Sequence, residues 1–220
     1  MSRGTWNRVA VVTVVLFAVT AHLPAAVLTW TGNGDGTSWN NAANWDLNQA
    51  PVYTDTLNIT TSATIANVYR DTGTSLYSDG YTWRGVVSLN EGTVNLPSYF
   101  GTGSSGVFNI GDGTLTGGVR DALVNVGGTW EFDRHGDGTF TLNILRDGAL
   151  YGGTFLGYGG HAGRKYVINV DGGLMASSNA WNMGSDATDS NRVNISSHGR
   201  VTVGAVTMDA NDVIDFLDRS

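Results

Sequence analysis

The stretch Val107–Gly128, VFNIGDGTLTGGVRDALVNVGG, contains the unit from which most of this 220-residue chain is built. A strand-like run leads to a turn at Asp112 and Gly113, and after two more glycines a second strand-like run ends in Val-Gly-Gly. Versions of this unit recur down to the end of the sequence, so the unit decides the fold class.

Five units align on a glycine that we predict to mark a corner of the chain, and these glycines are Gly92, Gly113, Gly148, Gly173 and Gly199. An alternating apolar pair precedes each glycine: Val87/Leu89, Phe108/Ile110, Leu142/Ile144, Ile168/Val170 and Val193/Ile195. Two residues after each glycine comes another apolar side chain: Val94, Leu115, Leu150, Met175 and Val201. In the third and fifth units the pair lies one residue further from the glycine, which predicts a turn that is one residue longer.

Alternation with a period of two indicates strands, because successive side chains of a strand point to opposite faces. Repeats of 20–50 residues are typical of solenoids and propellers, but a propeller blade needs about 40–45 residues. Each unit here is shorter and holds about three strand-like runs between glycine-containing corners. The sequence therefore predicts an all-β fold, a right-handed parallel β-helix of about five coils. We expect glycines to supply the positive φ angles that corners require.

The first 26 residues have the pattern of an export signal. Two arginines, Arg3 and Arg8, precede the apolar run Val9–Val19, which is too short to span a bilayer, and Ala25-Ala26 is a plausible cleavage point. The predicted organisation is a signal peptide at 1–26, a Trp-rich N-terminal region with the first strands at 27–82, and solenoid repeats at 83–220. We expect a secreted or cell-surface protein whose mature chain does not insert into a membrane.

Charge and cysteine content restrict the function further. The chain has 12 basic and 19 acidic residues and a net charge of −7; removal of Arg3 and Arg8 with the signal gives −9. This acidic balance argues against nucleic acid and anionic membrane surfaces as partners. Because cysteine is absent, the fold must be held by stacking and backbone ladders and not by disulfides. Nothing in the sequence indicates an oligomeric state.

The N-terminal region carries a spaced set of residues: Trp30, Gly32, Trp39, Asn44, Trp45 and Pro51, followed by Asp55 and Ile59. With the glycine-cornered repeats, this set resembles the secreted bacterial proteins that have autotransporter-associated β-strand repeats. Many members carry a C-terminal Pro-Glu-Pro sorting signal, which this sequence lacks. It ends in DVIDFLDRS, in mid-strand by its pattern, so we expect either a truncated repeat region or a member that is retained by other means. The resemblance implies a surface or matrix component without one shared reaction.

Trp30, Trp39 and Trp45 have two interpretations. The first coil of a solenoid exposes an apolar face and a strand edge, which three large aromatics would cover as a cap. The alternative is a platform on which the rings stack against sugars. The cap is the preferred interpretation, because large aromatic side chains are mostly buried.

The segment Asn33–Gly36, NGDG, suggests calcium as an alternative ligand. However, the spacing of an EF-hand loop is not met, and the nonapeptide of calcium-binding β-rolls does not occur. Two turns explain the segment adequately, and we expect no cofactor and no metal site.

The longest interval between corner glycines predicts an insertion at Gly128–Gly138, GTWEFDRHGDG. It holds the densest group of ionisable residues in the chain: Glu131, Asp133, Arg134, His135 and Asp137. A lyase or hydrolase acting on polysaccharides could use these carboxylates and the imidazole. The preferred interpretation is an extra strand through Trp130 and Phe132 followed by a solvated turn, because spacing alone does not bring groups together.

The function expected from these patterns is that of an exported structural or adhesive module of the bacterial cell surface or matrix, without catalysis. Envelope or matrix polysaccharide is its expected partner. One alternative is a polysaccharide-active enzyme that uses Glu131–Asp137. Another is the passenger segment of an autotransporter.

Overall fold

The computed structural model describes residues 25–52, 55–60, 64–65, 82–83, 85–96, 99–102, 106–115, 117–132, 138–157, 165–184, 188–208 and 210–217. Over these residues the chain is almost entirely β-structure, and all the strand pairs are parallel. The coils stack into a β-solenoid of about five turns, so the predicted parallel β-helix is confirmed. A short 3-10 turn at Ala42–Asn44 lies in the N-terminal region. No helix in the described ranges is long and apolar enough to cross a membrane.

The first face of the solenoid is an eight-stranded sheet whose strands follow one another in chain order. Its strands are β1 (Val27–Thr29), β2 (Thr56–Ile59), β5 (Val86–Leu89), β8 (Val107–Ile110), β10 (Phe140–Ile144), β12 (Tyr166–Asp171), β15 (Arg192–Ser196) and β18 (Val213–Phe216). Because β1 and β2 belong to this sheet, the N-terminal region is continuous with the repeats.

The other strands form a ten-stranded sheet with two columns. Its strands are β3 (Thr64–Ile65), β4 (Thr82–Trp83), β6 (Gly92–Leu96), β7 (Tyr99–Thr102), β9 (Ala122–Glu131), β11 (Gly148–Leu156), β13 (Leu174–Ser177), β14 (Ala180–Asn182), β16 (Arg200–Thr202) and β17 (Ala205–Thr207). The long strands β9 and β11 contribute to both columns, since β11 pairs with β13 and with β14. Each full coil therefore has three strand segments, as the repeat predicts.

The apolar pairs of the repeat stack in register inside the first sheet. Val87 lies beside Phe108, then come Leu142, Ile168 and Val193, and the second members of the pairs form a parallel column. These side chains are at most 1% exposed, except for Ile195 at 8%. The alternation in the sequence thus correctly identifies the inward face of each coil.

One corner of the repeat lies elsewhere than predicted. The residue that pairs with Gly92 and Gly148 is Ala122, and the residue that pairs with Val94 and Leu150 is Val124. Gly113 and Leu115 belong to an insertion, residues 111–121, that separates β8 from β9. We call this segment the corner loop. The expected insertion at Gly128–Gly138 is wrong in its first part, because Thr129–Glu131 is the regular third strand of its coil and pairs with β7 and β11.

Most corner glycines are required for a different reason than expected. Gly92 has a φ of +99°, but Gly148, Gly173 and Gly199 do not lie in the left-handed region. A Cβ atom on Gly148 or Gly199 would lie 2.2 Å from a carbonyl oxygen of another coil, that of Ile110 or Val170. On Gly173 the corresponding distance to the Ile144 oxygen would be 2.6 Å. These three corners need the missing side chain because two coils approach each other closely there.

Asparagines form a ladder on the outward face of the first sheet. The Nδ2 of each asparagine donates to the Oδ1 of the asparagine on the preceding coil, at 2.8 Å for Asn143 to Asn109, Asn169 to Asn143 and Asn194 to Asn169. Asn109 in turn donates to the Ser88 hydroxyl at 3.0 Å. Amide stacking of this kind adds a side-chain ladder to the backbone ladder.

Candidate functional site

The three N-terminal tryptophans form a packed cluster. Trp30, Trp39 and Trp45 are each 2% exposed, and Trp45 contacts both others edge-to-face at 5.2 and 5.3 Å between ring centroids. The Trp45 indole N–H donates to the carbonyl of Trp39 at 2.8 Å. Because all three rings are buried, they offer no open face on which a sugar could stack.

The same cluster covers the outer edge of β1. Trp45 forms an antiparallel bridge with Trp30, and Asp46 donates its N–H to the Thr29 carbonyl at 3.0 Å. The Asp46 carboxylate accepts the Thr29 N–H, also at 3.0 Å. Both backbone polar groups of Thr29 on this edge therefore have partners within the chain, as a cap requires.

The loop Asn33–Gly36 is organised by Asn44, which is fully buried. The Asn44 Oδ1 accepts the N–H groups of Gly34 and Gly36 at 2.8 and 3.0 Å, and its Nδ2 donates to the Asp35 carboxylate at 2.8 Å. Hydrogen bonds from the Ser38 side chain, the Thr37 backbone N–H and the Asn44 side chain lower the pKa of Asp35. The loop thus uses its carboxylate internally. Across the described ranges, no group of three or more His, Cys, Asp or Glu residues could hold a metal ion.

The predicted site at Glu131–Asp137 is only partly described. Glu131 ends β9 and is 5% exposed, so it is not a surface group. Asp133, His135 and Asp137 lie outside the described residues. Trp130 and Phe132 are fully buried, and Trp130 lies beside Phe155 of the next coil. The interpretation of Trp130 as a strand residue is therefore confirmed.

A cleft of about 650 Å³ lies under the corner loop, where successive coils turn from the first sheet into the second. The ionisable side chains that line it are Arg120, Arg146, Asp171 and His198. We call it the corner cleft. Its residues come from the corner loop and from the corners that follow β10, β12 and β15.

A buried carboxylate holds the corner loop in place. Asp147 is fully buried and accepts the N–H groups of Asp112 and Gly113 at 2.9 and 2.7 Å. At Gly111 there is no room for a side chain, because a Cβ atom would lie 2.3 Å from the Asp147 Oδ1. The loop therefore begins on a rigid anchor in the following coil.

Arg120 fixes the other end of the loop two coils away. Its Nη2 donates to the Gly172 carbonyl at 2.7 Å. Its Nε is buried, and no hydrogen-bond acceptor among the described residues reaches that atom. A buried charged donor without an acceptor is costly.

Arg146, at the corner that follows β10, lies next to the corner at Gly172. A Cβ atom on Gly172, whose φ is +72°, would lie 3.2 Å from the Arg146 Cβ. Ser197 and His198 follow on the next corner with φ angles of 51° and 63°, which non-glycine residues seldom adopt. The Asp171 carboxylate accepts the Ser196 hydroxyl at 2.9 Å. Two guanidinium groups within one cleft suit the paired oxygens of a carboxylate or sulfate.

This cleft could not be identified from spacing. Arg120, Arg146 and His198 lie more than 20 residues apart, and only the stacking of corners brings them together. For two of these residues the sequence did contain a signal. Arg146 and His198 each lie shortly after an apolar pair and before a corner glycine, which places both at the same corner of their repeats.

Comparisons with known proteins give no match, either to a family model, to a curated protein or to a solved structure. The resemblance to autotransporter-associated β-strand repeat proteins therefore stays a prediction.

Proposed function

We propose that this chain is an exported structural or adhesive module of the bacterial cell surface or extracellular matrix. The observation that carries the proposal is the register of the first sheet, in which the inward apolar columns continue across every coil from β5 to β15. Export is supported by the apolar segment Val9–Val19 and the small residues that follow it. The cleavage point that we predict for this signal, after Ala26, comes directly before the first strand, which begins at Val27.

Stiffness follows from three layers of contact between neighbouring coils. Backbone hydrogen bonds join the strands, the inward side chains stack at close to zero exposure, and the asparagine ladder runs along the outside. In a solenoid each repeat contacts only its neighbours, so every interface contributes to the rigidity of the whole. Such a body acts as a spacer that keeps its length.

The adhesive part of the proposal rests on outward polar groups. Along β8, β10, β12 and β15 the outward position between the two apolar residues is an asparagine in every strand, and these side chains are half-buried. Amides spaced at about 4.8 Å could contact hydroxyl groups of a glycan at many weak points. Envelope or matrix polysaccharide is the expected partner.

Export is tested by expressing the full chain with a C-terminal tag in a bacterial host and fractionating the cells. We expect the protein outside the cytoplasm with an N-terminus at Val27. Val15→Asp, which interrupts the apolar run, should keep the chain uncleaved in the cytoplasm. A wild-type chain that stays uncleaved in the cytoplasm would contradict the export proposal.

Adhesion is tested by applying the purified chain to a glycan array and to polysaccharide extracted from bacterial envelopes. We expect weak binding that increases when the protein is presented in many copies, because many weak contacts act together. An absence of binding at high protein concentration, in both formats, would leave only the structural part of the proposal.

A further inference from the structure

We propose that the corner cleft binds an oxyanion carried by an acidic saccharide, either the carboxylate of a uronic acid or a sulfate ester. This inference deepens the adhesive part of the proposed function by naming a ligand class, and it rests on that function for its setting. It concerns a different surface from the asparagine ladder.

The geometry provides three positively charged or ionisable donors around one space. Arg120 enters from the corner loop, Arg146 from the corner after β10 and His198 from the corner after β15. The volume of about 650 Å³ falls within the range of about 300–1,000 Å³ that is usual for small-molecule sites. The space is therefore suited to a short saccharide segment.

The two guanidinium groups of the lining are the observation that points to a ligand. Arg146 is exposed, and Arg120 lines the same cleft, where its Nη2 is held by the Gly172 carbonyl. A guanidinium presents its donors in a fixed planar fork that matches the two oxygens of a carboxylate or sulfate. An oxyanion in the cleft would accept from the Arg146 fork and lie beside the positive charge of Arg120.

The two arginines of the lining outnumber its carboxylates. Asp171 is the acidic residue in the lining, and its carboxylate accepts the Ser196 hydroxyl. Asp147 faces the corner loop and accepts two backbone N–H groups there. The net charge of −7 opposes polyanions over long distances, but at about 0.15 M salt such repulsion is screened beyond roughly 8 Å.

A single-charge substitution isolates the cleft. Arg146→Gln removes the guanidinium from an exposed residue and keeps the Cβ that packs beside Gly172. Lys165→Gln is the matched control, because it makes the same change of charge at the opposite end of β12 from Asp171. Six residues of strand separate these ends by roughly 16 Å.

The binding of wild type and both variants is measured by affinity electrophoresis and calorimetry at about 0.15 M salt. The probes are polygalacturonate, dextran sulfate and unmodified dextran, with inorganic sulfate as the free ion. We expect wild type to bind at least one acidic polymer and not dextran. Loss of a charge-assisted hydrogen bond should weaken the binding of Arg146→Gln by about tenfold or more, and the change in Lys165→Gln should stay below about twofold.

The outcomes separate the two proposals. Acidic-polymer binding that Arg146→Gln and Lys165→Gln reduce equally, or that neither reduces, would refute the cleft and leave the adhesive function intact. Binding of inorganic sulfate without either polymer would refute the saccharide. If wild type binds none of the four probes, the cleft proposal fails. The glycan array and the envelope polysaccharide then test the adhesive function separately. A preference for polygalacturonate or dextran sulfate assigns the oxyanion as carboxylate or sulfate.

Discussion

Substituting Gly148 with alanine tests how closely the coils approach at a corner. The new Cβ would lie 2.2 Å from the Ile110 oxygen, about 0.8 Å inside the 3.0 Å limit that real Cβ atoms respect. It would also lie 2.8 Å from the Ile110 carbonyl carbon. Both atoms belong to the backbone of another coil, so no side chain can rotate away, and one coil must shift.

The cost can be worked out from the groups that would move. Overpacking of this kind destabilises by about 1–3 kcal/mol. The Ile110 oxygen also accepts the Leu145 N–H at 2.8 Å, and weakening that bond costs about 1 kcal/mol. Replacing glycine restricts the unfolded chain and returns about 0.4–1 kcal/mol. We therefore expect a net loss of about 1–3.5 kcal/mol, which lowers Tm by roughly 2–14 °C in a chain of this size.

The assay is equilibrium unfolding in urea followed by tryptophan fluorescence, because Trp130 and Trp181 are fully buried and report on the core. Gly204→Ala is the matched control. Its Cβ would lie no closer than 3.2 Å to another atom, the Asn179 oxygen, and its backbone is not in the left-handed region. We expect this variant to stay within about 0.5 kcal/mol of wild type. Equal unfolding midpoints for Gly148→Ala and Gly204→Ala would refute the close-approach argument.

Three further predictions concern polar groups. Asn143→Ala removes two side-chain hydrogen bonds of the ladder and should lower the free energy of unfolding in urea by about 1–2 kcal/mol. Asn125→Ala removes one hydrogen bond of the same kind and should lower it by less. A larger loss in Asn125→Ala than in Asn143→Ala would contradict the stabilising role of the ladder. Asp147→Ala leaves two N–H groups without their acceptor and should lower the free energy of unfolding by about 2–4 kcal/mol. It should also speed proteolytic cleavage within residues 111–121. An unchanged cleavage rate would contradict the role of Asp147 as the anchor of the corner loop. The pKa of Asp35 is lowered chiefly by the Ser38 side chain, so its contribution is present above the unfolded pKa and is lost only as pH falls through the lower folded value. An NMR titration should show this carboxyl still ionised at about pH 3.9, where an ordinary aspartate is half protonated, and a normal midpoint there would contradict the hydrogen-bond network.

The inward face of the solenoid was predictable because burial follows alternation directly. Val87, Phe108 and Leu142 lie in one column of the first sheet, where the repeat places them. The longer turns of the third and fifth units are also present, at residues 145–147 and 197–199. These features depend only on local pattern and on parallel stacking.

The corners were less predictable because glycine there has more than one cause. Gly113 resembles a corner of the repeat but lies in the corner loop, and the true corner carries Ala122. At Gly148 the requirement is contact with a neighbouring coil that is distant in the sequence, which no local pattern reveals. The corner cleft was missed for the same reason, since Arg120 and Gly172 meet only through stacking.

The corner loop shows that extra residues at a corner need not disturb the strand pairing on either side of it. Eleven residues enter between β8 and β9, yet β8 keeps its pairing with β10, and β9 keeps its pairing with β11. A corner can thus accept extra chain without offsetting the rungs on either side. For protein engineers this makes the corners natural grafting points. A foreign peptide could be placed at a chosen height along the rod, and its spacing from a second graft would be set by the number of rungs between them.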